Sequence, residues 1–338
     1  MRQKGLALVL VLWVLSLLTI MAGSFALSMR REAAIVAGIK NNAQALAIAE
    51  SGIAIAQRML MNPDQNKRWR TDGSIYQVEF TSSNGTGSRV RIQMLSEAGK
   101  IDLNAADQKL LEALMLQAPM SEDSSNRDSP EERAAKLVNA IIDWRDPDDE
   151  VHLNGAEKKE YQEAGLKYHP RNKSFQAVEE LQLVLGMDTA TFEWIEPLVT
   201  VYSGQQKVNL QQASKAVLQL LPGIDIGLVD EYIAARLESA INDLPVPPFP
   251  LMPGQPLKPG QNTASGQQNE ALTIVSEALL DDDSRAVISA IVKKSDGSLS
   301  APFETLKWQR NTMSGESLFT DEMSELLVKQ YAEPEFNN

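Results

Sequence analysis

The densest group of side chains able to do chemistry lies where a helical stretch gives way to a proline-broken loop. It comprises Asp143-Trp144-Arg145-Asp146-Pro147-Asp148-Asp149-Glu150, followed shortly by Gly155-Ala156-Glu157. Negative charge is unfavourable at the C-terminus of a helix, because the helix dipole is already negative there, and crowding of like charges adds to that cost. A bound cation removes both penalties. The pattern therefore indicates a cation site built from carboxylate oxygens.

The available donor atoms narrow the kind of cation. The chain has no cysteine, which excludes thiolate sites, and His152 and His169 are not spaced as zinc ligands are. Oxygen donors favour a hard ion, and Ca²⁺ accepts a larger and more flexible set of oxygens than Mg²⁺ does. The residue order of an EF-hand loop is absent. A solvated acidic loop without an ion is the alternative interpretation, and it remains open.

Other chemistry has little support in the sequence. Asp143 and Asp146 are candidates for the carboxylate pair of a glycoside hydrolase. Only 6% of the chain is aromatic, so no sugar-binding platform is evident, and no hydrolase motif is recognisable. Neither histidine stands in a recognisable setting beside a Ser nucleophile. We therefore expect a protein that is not an enzyme.

The elements that must position this cluster begin with an apolar N-terminus. After a short basic leader, residues 1–5, no charged side chain occurs before Arg30 and Arg31. As a helix, this run is long enough to cross about 30 Å of hydrocarbon. We predict a membrane span over residues 6–29, with a plain signal anchor as the alternative.

The apolar helix is expected to continue beyond the membrane as an amphipathic one. The sequence stays rich in alanine as far as Leu60, and Ile39, Leu46, Ile53 and Leu60 recur every seven residues. This spacing places the four side chains along one helix face. We therefore predict a single helix over residues 6–62, whose second half contacts protein rather than lipid.

Strand-like segments lie on both sides of a long helical region. Apolar residues alternate with polar ones over residues 75–80, 89–95, 272–277, 285–293 and 303–308. Turn-forming residues separate the members of each pair at 82–87 and 281–284. We predict an antiparallel sheet from residues 63–99 and 270–310, in which Arg91 points away from the apolar face.

Residues 100–244 have a helical pattern and contain an internal repeat. Residues 99–106 are echoed by residues 206–213, and each copy leads into a leucine-rich helix and later into a second helix. Ser129-Pro130-Glu131-Glu132 predicts a capped helix start. Residues 221–224 resemble the hairpin of a helix-hairpin-helix motif, but Asp225 stands where DNA-binding members have a glycine. Because an acid there repels phosphate, we expect a packing unit.

The remaining segments and the overall charge complete the outline. Residues 245–269 are rich in proline, which predicts an extended linker. Residues 311–338 form an acidic extension, with one short helix expected around residues 321–331. The net charge of −13 makes the body repel polyphosphates, so we expect no nucleic-acid partner.

Together these features resemble the minor pseudopilin K family of the type II secretion system, also called general secretion pathway protein K. The resemblance is carried by the leader through Gly5, residues 100–106, Asp143-Trp144-x-Asp146, Gly155-Ala156-Glu157, residues 207–223 and Lys307-Trp308. It implies an α+β fold, in which a long N-terminal transmembrane α-helix leads into a pilin-like antiparallel sheet with a large inserted all-α domain. That domain is expected to contain two helix-hairpin-helix or SAM-like repeats.

The resemblance also implies how the N-terminus is processed. In the family a prepilin peptidase cuts after the leader glycine, which implies cleavage between Gly5 and Leu6 and N-methylation of Leu6. The cut leaves Leu10 at the fifth mature position, where most pilins carry a glutamate. In the family that buried carboxylate pairs with the free amine of the next subunit. Without it, this chain is implied to sit at the tip, where no subunit stacks above it.

Partners and location follow from the same resemblance. The implied partners are the minor pseudopilins I, J and H, the prepilin peptidase and the inner-membrane secretion platform. The chain is implied to cross the inner membrane once, with its N-terminus in the cytoplasm and its body in the periplasm. There it initiates pseudopilus assembly and supports export of folded proteins across the outer membrane. The alternative is a DNA-binding helix-hairpin-helix component of a competence or type IV pilus machine.

Family members bind calcium, which implies one or two Ca²⁺ ions in this chain. The implied ligand candidates are Asp143, Asp146, Asp148, Asp149 and Glu157. The family tends to place further acids directly after Gly-Ala-Glu, where this chain has Lys158 and Lys159. Whether the ligand set is complete is therefore open.

Overall fold

The computed structural model describes residues 4–64, 67–81, 87–119, 129–250, 270–295, 301–310 and 317–331. Residues 1–3 of the expected leader, most of the expected turn at 82–87 and residues 251–269 of the expected linker lie outside these ranges, as do two parts of the tail. The α-helices are α1 Lys4–Leu60, α2 Gln108–Met115, α3 Pro130–Arg145, α4 Lys158–Glu163, α5 Thr189–Ile195, α6 Lys215–Leu220, α7 Ile226–Ile241 and α8 Asp321–Ser324. The strands are β1 Asp72–Thr81, β2 Gly87–Ser96, β3 Ile101–Asp102, β4 Val199–Thr200, β5 Ala271–Leu280, β6 Arg285–Lys294, β7 Phe303–Arg310 and β8 Leu327–Tyr331.

The N-terminal helix α1 is one continuous rod, as its proline-free apolar sequence predicts. Pro63 follows shortly after its end and disfavours a helical conformation for the residue before it. Side chains 8–40 are exposed, and α1 is long and apolar enough to cross a membrane, the one such helix among the residues that the structure describes.

The second half of α1 packs against the sheet through small residues. Ala45, Ala49, Ile53 and Ala56 are buried, whereas Ile39 of the predicted heptad is 66% exposed, so contact with the body begins later than the heptad indicates. A Cβ atom added at Gly52 would lie only 2.1 Å from Ser276 Oγ. The absence of a side chain at this position therefore lets the helix approach the strands closely.

The main sheet has six strands in the order β7-β6-β5-β2-β1-β8. The neighbours from β7 to β1 pair antiparallel, with Val78 opposite Val90 and Ile92 opposite Ser276. The apolar residues predicted to share one face of β2 and β6 are buried under α1. The fold is therefore mixed helix and sheet, with a long apolar N-terminal helix and a mainly antiparallel sheet.

The C-terminal extension belongs to this sheet, which the sequence did not predict. The short helix expected around residues 321–331 is confirmed only for its first turn, because α8 ends at Ser324, and Leu327–Tyr331 instead forms β8, which pairs parallel with β1. Arg91 points away from α1 as predicted, but the extension buries it. Its Nη1 donates to Leu318 O at 2.7 Å and to Ser324 Oγ at 2.8 Å. Such long-range pairing leaves no local signal in either segment.

The region between β2 and β5 contains the helices α2 to α7 and has its own apolar core. The capping box predicted at Ser129 is confirmed: Ser129 Oγ accepts from Glu132 N at 3.2 Å, and Glu132 Oε2 accepts from Ser129 N at 3.0 Å. Pro130 occupies the first turn. Helix α3 therefore starts at a defined residue, which fixes where its C-terminus delivers the acidic cluster.

The two copies of the internal repeat begin with the same local turn. Asp102 Oδ1 accepts from Asn104 N at 2.8 Å, and Asn209 Oδ1 accepts from Gln211 N at 3.1 Å. Each turn is followed by a capped helix, α2 or α6, and then by a helix of 16 residues, α3 or α7. The second copy also contacts the residue directly before the first copy, because Asn209 N donates to Ala98 O at 2.8 Å.

Candidate metal centre

Helix α3 delivers Asp143 to the interior of the helical region. Trp144, beside it, packs on Tyr161 and Phe175, with ring centroids 6.1 and 6.3 Å apart. This packing fixes the last turn of α3, and the Asp143 side chain is fully buried. Asp146 ends the helix with an extended backbone, after which Pro147 directs the chain into a loop. The acidic cluster therefore has one rigid end.

The carboxylate of Asp143 holds the returning loop. Its Oδ2 accepts from Ala156 N at 2.7 Å, and its Oδ1 accepts from His152 N at 3.3 Å and lies 2.5 Å from His152 Nδ1. A Cβ atom at Gly155 would lie 2.0 Å from Asp143 Oδ2. Only glycine therefore lets the loop close over the carboxylate.

Asp146 and Glu157 carry buried oxygens that have no hydrogen-bond partner. These atoms are Asp146 Oδ1 and Glu157 Oε1, and the Glu157 residue is only 4% exposed. Burial and the charges of Asp148 and Asp143 raise the pKa of Asp146. Burial and the charges of Asp143, Asp146 and Asp149 raise the pKa of Glu157 to about 7. Orphaned carboxylate oxygens in a crowded, partly desolvated cluster are what a hard cation would satisfy, so the residues fit the implied ion.

The remaining two ligand candidates lie further out. Asp148 and Asp149 are exposed, and Asp148 Oδ1 accepts from Glu150 N at 2.9 Å. Asn172 holds both acids: its Nδ2 donates to the Asp148 carbonyl and to Asp149 Oδ1, the latter at 2.8 Å. The structure thus brings Asp143 and Asp146 together and buries Glu157 close enough for both charges to act on its pKa, while Asp148 and Asp149 lie at the rim.

Three polar residues of this centre were missed or set aside in the sequence. His152 joins Asp143 and Asp146 in a group whose ligand atoms lie within 4.8 Å of one another, whereas His169 lies elsewhere, with Nδ1 2.8 Å from Pro170 O. Asn139 donates to Leu153 O at 2.7 Å. Asn139 precedes Asp143 by one helical turn, so their shared helix face was a usable signal. Asn172 comes from a distant segment, and no sequence pattern linked it to the acidic cluster.

We predict that the metal-free protein loses stability as the pH rises from about 5 to about 8. The pKa of Glu157 is about 7 in the folded protein, above its ordinary value of 4.5. The folded state therefore binds this proton more tightly than the unfolded chain does, and the resulting stabilisation is full below pH 4.5 and lost as the pH rises through 7. The loss at Glu157 is on the order of 2–3 kcal/mol.

Denaturant unfolding in excess chelator at several pH values measures this effect. Glu157→Gln should flatten the pH dependence, whereas Glu163→Gln, which alters an acid whose side chain is 65% exposed, should leave it unchanged. Equal slopes for the wild type and Glu157→Gln would show that Glu157 is not the titrating group.

The other residues singled out in the sequence lie away from this centre. Gly5, Leu6 and Leu10 are in the N-terminal part of α1, and Leu10 is 61% exposed. Asp225, at the hairpin of the second copy, caps α7 by accepting from Gly227 N at 2.9 Å. Asp230, in the helix after it, pairs with Lys215 at 2.7 Å. The hairpin therefore presents carboxylates where a DNA-binding motif presents free backbone amides.

Comparisons with known proteins point to one family. Residues 89–204 match the family model described as type II secretion system (T2SS), protein K. Type II secretion system protein K of Klebsiella pneumoniae is 28% identical over 232 residues, which cover 64% of this chain and 69% of that protein. The protein of the same name from Dickeya chrysanthemi is 30% identical over 106 residues, covering 31% of this chain and 29% of that protein.

A solved structure is also similar. It is a chain of the GspK–GspI–GspJ complex from the type 2 secretion system of enterotoxigenic Escherichia coli, with a TM-score of 0.49 and 16% sequence identity. The superposition covers 81% of this chain and 96% of that chain.

Proposed function

We propose, from the premise that this chain belongs to the type II secretion system protein K family, that it is a minor pseudopilin at the tip of a periplasmic pseudopilus. The membership rests on the family match over residues 89–204 together with the two curated relatives. The observation that carries the proposal is the combination of an apolar N-terminal rod with a helical region inserted between the strands of one sheet. In this role the chain starts pseudopilus assembly and supports export of folded proteins.

The proposed tip position has a steric and an electrostatic reason. The inserted region, residues 100–244, widens the head beyond the sheet that α1 carries, so a subunit stacked above it would meet a bulky obstacle. Leu10 offers no carboxylate to a neighbouring amine within the membrane. Both features suit the first subunit of the filament, beneath which later subunits are added.

Processing and partners are part of the proposal. A prepilin peptidase would cut between Gly5 and Leu6, and Leu6 would then be N-methylated. The GspK named in the similar structure is in a complex with GspI and GspJ, and we propose the corresponding minor pseudopilins I and J, with H, as partners of this chain. The inner-membrane secretion platform would receive the assembly, with the N-terminus of the chain cytoplasmic and its body periplasmic.

We also propose that the acidic centre holds Ca²⁺, as one or two ions. Asp143, Asp146 and Glu157 would form the inner ligands, with Asp148 and Asp149 at the rim. The ion would neutralise carboxylates that otherwise repel one another and would hold the loop after α3 against the start of α4. The orphaned Asp146 Oδ1 and Glu157 Oε1 support this assignment.

The role is proposed to be non-catalytic and independent of DNA. Asp143, the candidate for a hydrolytic carboxylate, is fully buried, so a polysaccharide substrate would not reach it. The repeats are proposed to serve as helix-hairpin-helix packing units, since Asp225 and Asp230 disfavour a phosphate. Retention of DNA on a filter at low salt, lost at higher salt, would instead favour the competence-type alternative.

The N-terminal mass of the protein purified from membranes tests the proposal. We expect a chain that begins with methylated Leu6 and co-purifies with minor pseudopilins I and J. Gly5→Ile, which puts a branched side chain at the cleavage site, should keep Met1 and reduce recovery of the complex severalfold. Gly38→Ile, at an exposed glycine of the same helix, should still be cleaved. Mature wild-type protein that retains Met1 would contradict the proposal.

A further inference from the structure

Asn172 engages the acidic centre from a different segment of the chain. Its side-chain Nδ2 donates hydrogen bonds to the acidic loop, at the Asp148 carbonyl and at Asp149 Oδ1. Its backbone is left-handed, with φ +50°, a conformation that asparagine tolerates better than most residues. The side chain therefore aims its N–H groups at the two rim acids.

The turn that carries Asn172 is itself held in place. Asn104 Oδ1 accepts from Phe175 N at 2.7 Å, and Asn104 Nδ2 donates to Phe175 O at 2.9 Å. Phe175 stacks on Trp144, next to Asp143. Asn172 is thus fixed relative to α3 by contacts that do not involve the acidic loop.

The amide oxygen of Asn172 remains unused. Asn172 Oδ1 is buried without a hydrogen-bond partner, as are Asp146 Oδ1 and Glu157 Oε1, and these are three of the eight such side-chain atoms among the described residues. The loop that Asn172 holds at Asp148 and Asp149 begins directly after Asp146, so the clamped rim adjoins one of the inner acids. A neutral amide oxygen is a usual Ca²⁺ ligand.

We propose that Asn172 completes the cation site, with its amide nitrogen fixing the rim acids and its Oδ1 supplying a neutral oxygen to the ion. The inference rests on the proposed calcium site. It adds a ligand from beyond the acidic cluster, so that the ion connects α3, the start of α4 and the turn at residue 172. It also supplies an oxygen where Lys158 and Lys159 leave the acidic set short.

Two substitutions separate a ligand from a residue that only clamps the loop. Asn172→Ala removes both the donor and the oxygen, and should weaken Ca²⁺ binding by about 10–100-fold. Asn172→Asp removes the donors and places a charge beside Asp149, so it should lower the unfolding midpoint in chelator. It nevertheless keeps an oxygen for the ion, so its Ca²⁺ affinity should stay within about threefold of wild type and its Ca²⁺-induced rise in the midpoint should exceed that of wild type.

The measurements are calorimetric titration of Ca²⁺ into the full-length, metal-stripped protein in detergent, and thermal unfolding with and without the ion. Asn154→Ala is the matched control, since Asn154 is also a left-handed asparagine (φ +60°) in the loop near the same centre. The Ca²⁺ affinity of this variant should equal that of wild type. Wild-type affinity in Asn172→Ala, or an affinity in Asn172→Asp as low as in Asn172→Ala, would overturn the inference while leaving the calcium site intact. A wild-type protein that binds no Ca²⁺ would overturn both.

Discussion

Ca²⁺ added to the metal-free, full-length protein in detergent should raise the midpoint of thermal unfolding by about 5–10 °C when the ion is ~100-fold above its dissociation constant. The stabilisation comes from relieving a charge cluster rather than from forming new apolar contacts. Burial and like charges raise the pKa of Asp146 and of Glu157, which means that the folded protein holds these carboxylates under electrostatic stress. A divalent ion that binds only the folded state removes this stress.

Asp146→Asn distinguishes this explanation from a nonspecific effect of salt. Asp146 Oδ1 is buried without a partner, and the neighbouring acids disfavour its charge. Removing the charge should therefore leave the midpoint in chelator unchanged or slightly higher, while most of the Ca²⁺-induced rise disappears. A ligand substitution that is harmless without the ion and harmful with it is diagnostic of a binding site.

Two controls accompany this experiment. Glu163→Gln removes a charge from an exposed acid in the same part of the chain and should preserve the full rise. Mg²⁺ at the same concentration should give a smaller rise, because it requires a more rigid octahedral set of ligands. If the wild-type protein has the same unfolding midpoint in chelator as in Ca²⁺, the protein does not bind the ion.

The parts of the fold that the sequence predicted are those encoded by local patterns. The rod α1, the strands from β1 to β7 in the main sheet and the capped start of α3 each follow from periodicity or capping within a few residues. The parts that it missed depend on distant partners. Strand β8 pairs with β1 across most of the chain length, and Arg91 is buried only because Leu318 and Ser324 cover it.

The candidate site divides in the same way. The acids from Asp143 to Asp149 are close in sequence, so their crowding was visible without a structure. The inner position of Glu157 and the outer position of Asp148 depend on how the loop turns back, which Gly155 and Asn139 determine. Asn172 enters from 23 residues beyond Asp149, and no spacing rule connects the two. The sequence therefore predicted the cluster of acids, but not which of them lie inside and which lie at the rim.

The second large effect is expected at the contact between the two repeat copies, where Gly99→Ala should destabilise the protein by about 3 kcal/mol. A Cβ atom at Gly99 would lie 2.4 Å from Gln212 O and 2.7 Å from Gln212 C. These are backbone atoms, and a side-chain rotation cannot move them aside. Gln212 N and Ala213 N both donate to Asn209 O, at 3.1 and 3.0 Å, so the second copy resists displacement.

The expected loss corresponds to a fall of about 6–12 °C in the unfolding midpoint, measured on the full-length protein in detergent. The repeat provides its own matched control, because Gln206 occupies the position in the second copy that Gly99 occupies in the first. Gln206 is exposed, and Gln206→Ala should change the free energy of unfolding by no more than about 0.5 kcal/mol. Since Gly99 has no left-handed backbone, the contrast isolates steric overlap from conformational strain. Equal stability of the two variants would mean that the copies can separate without loss, and that the inserted region is held together elsewhere.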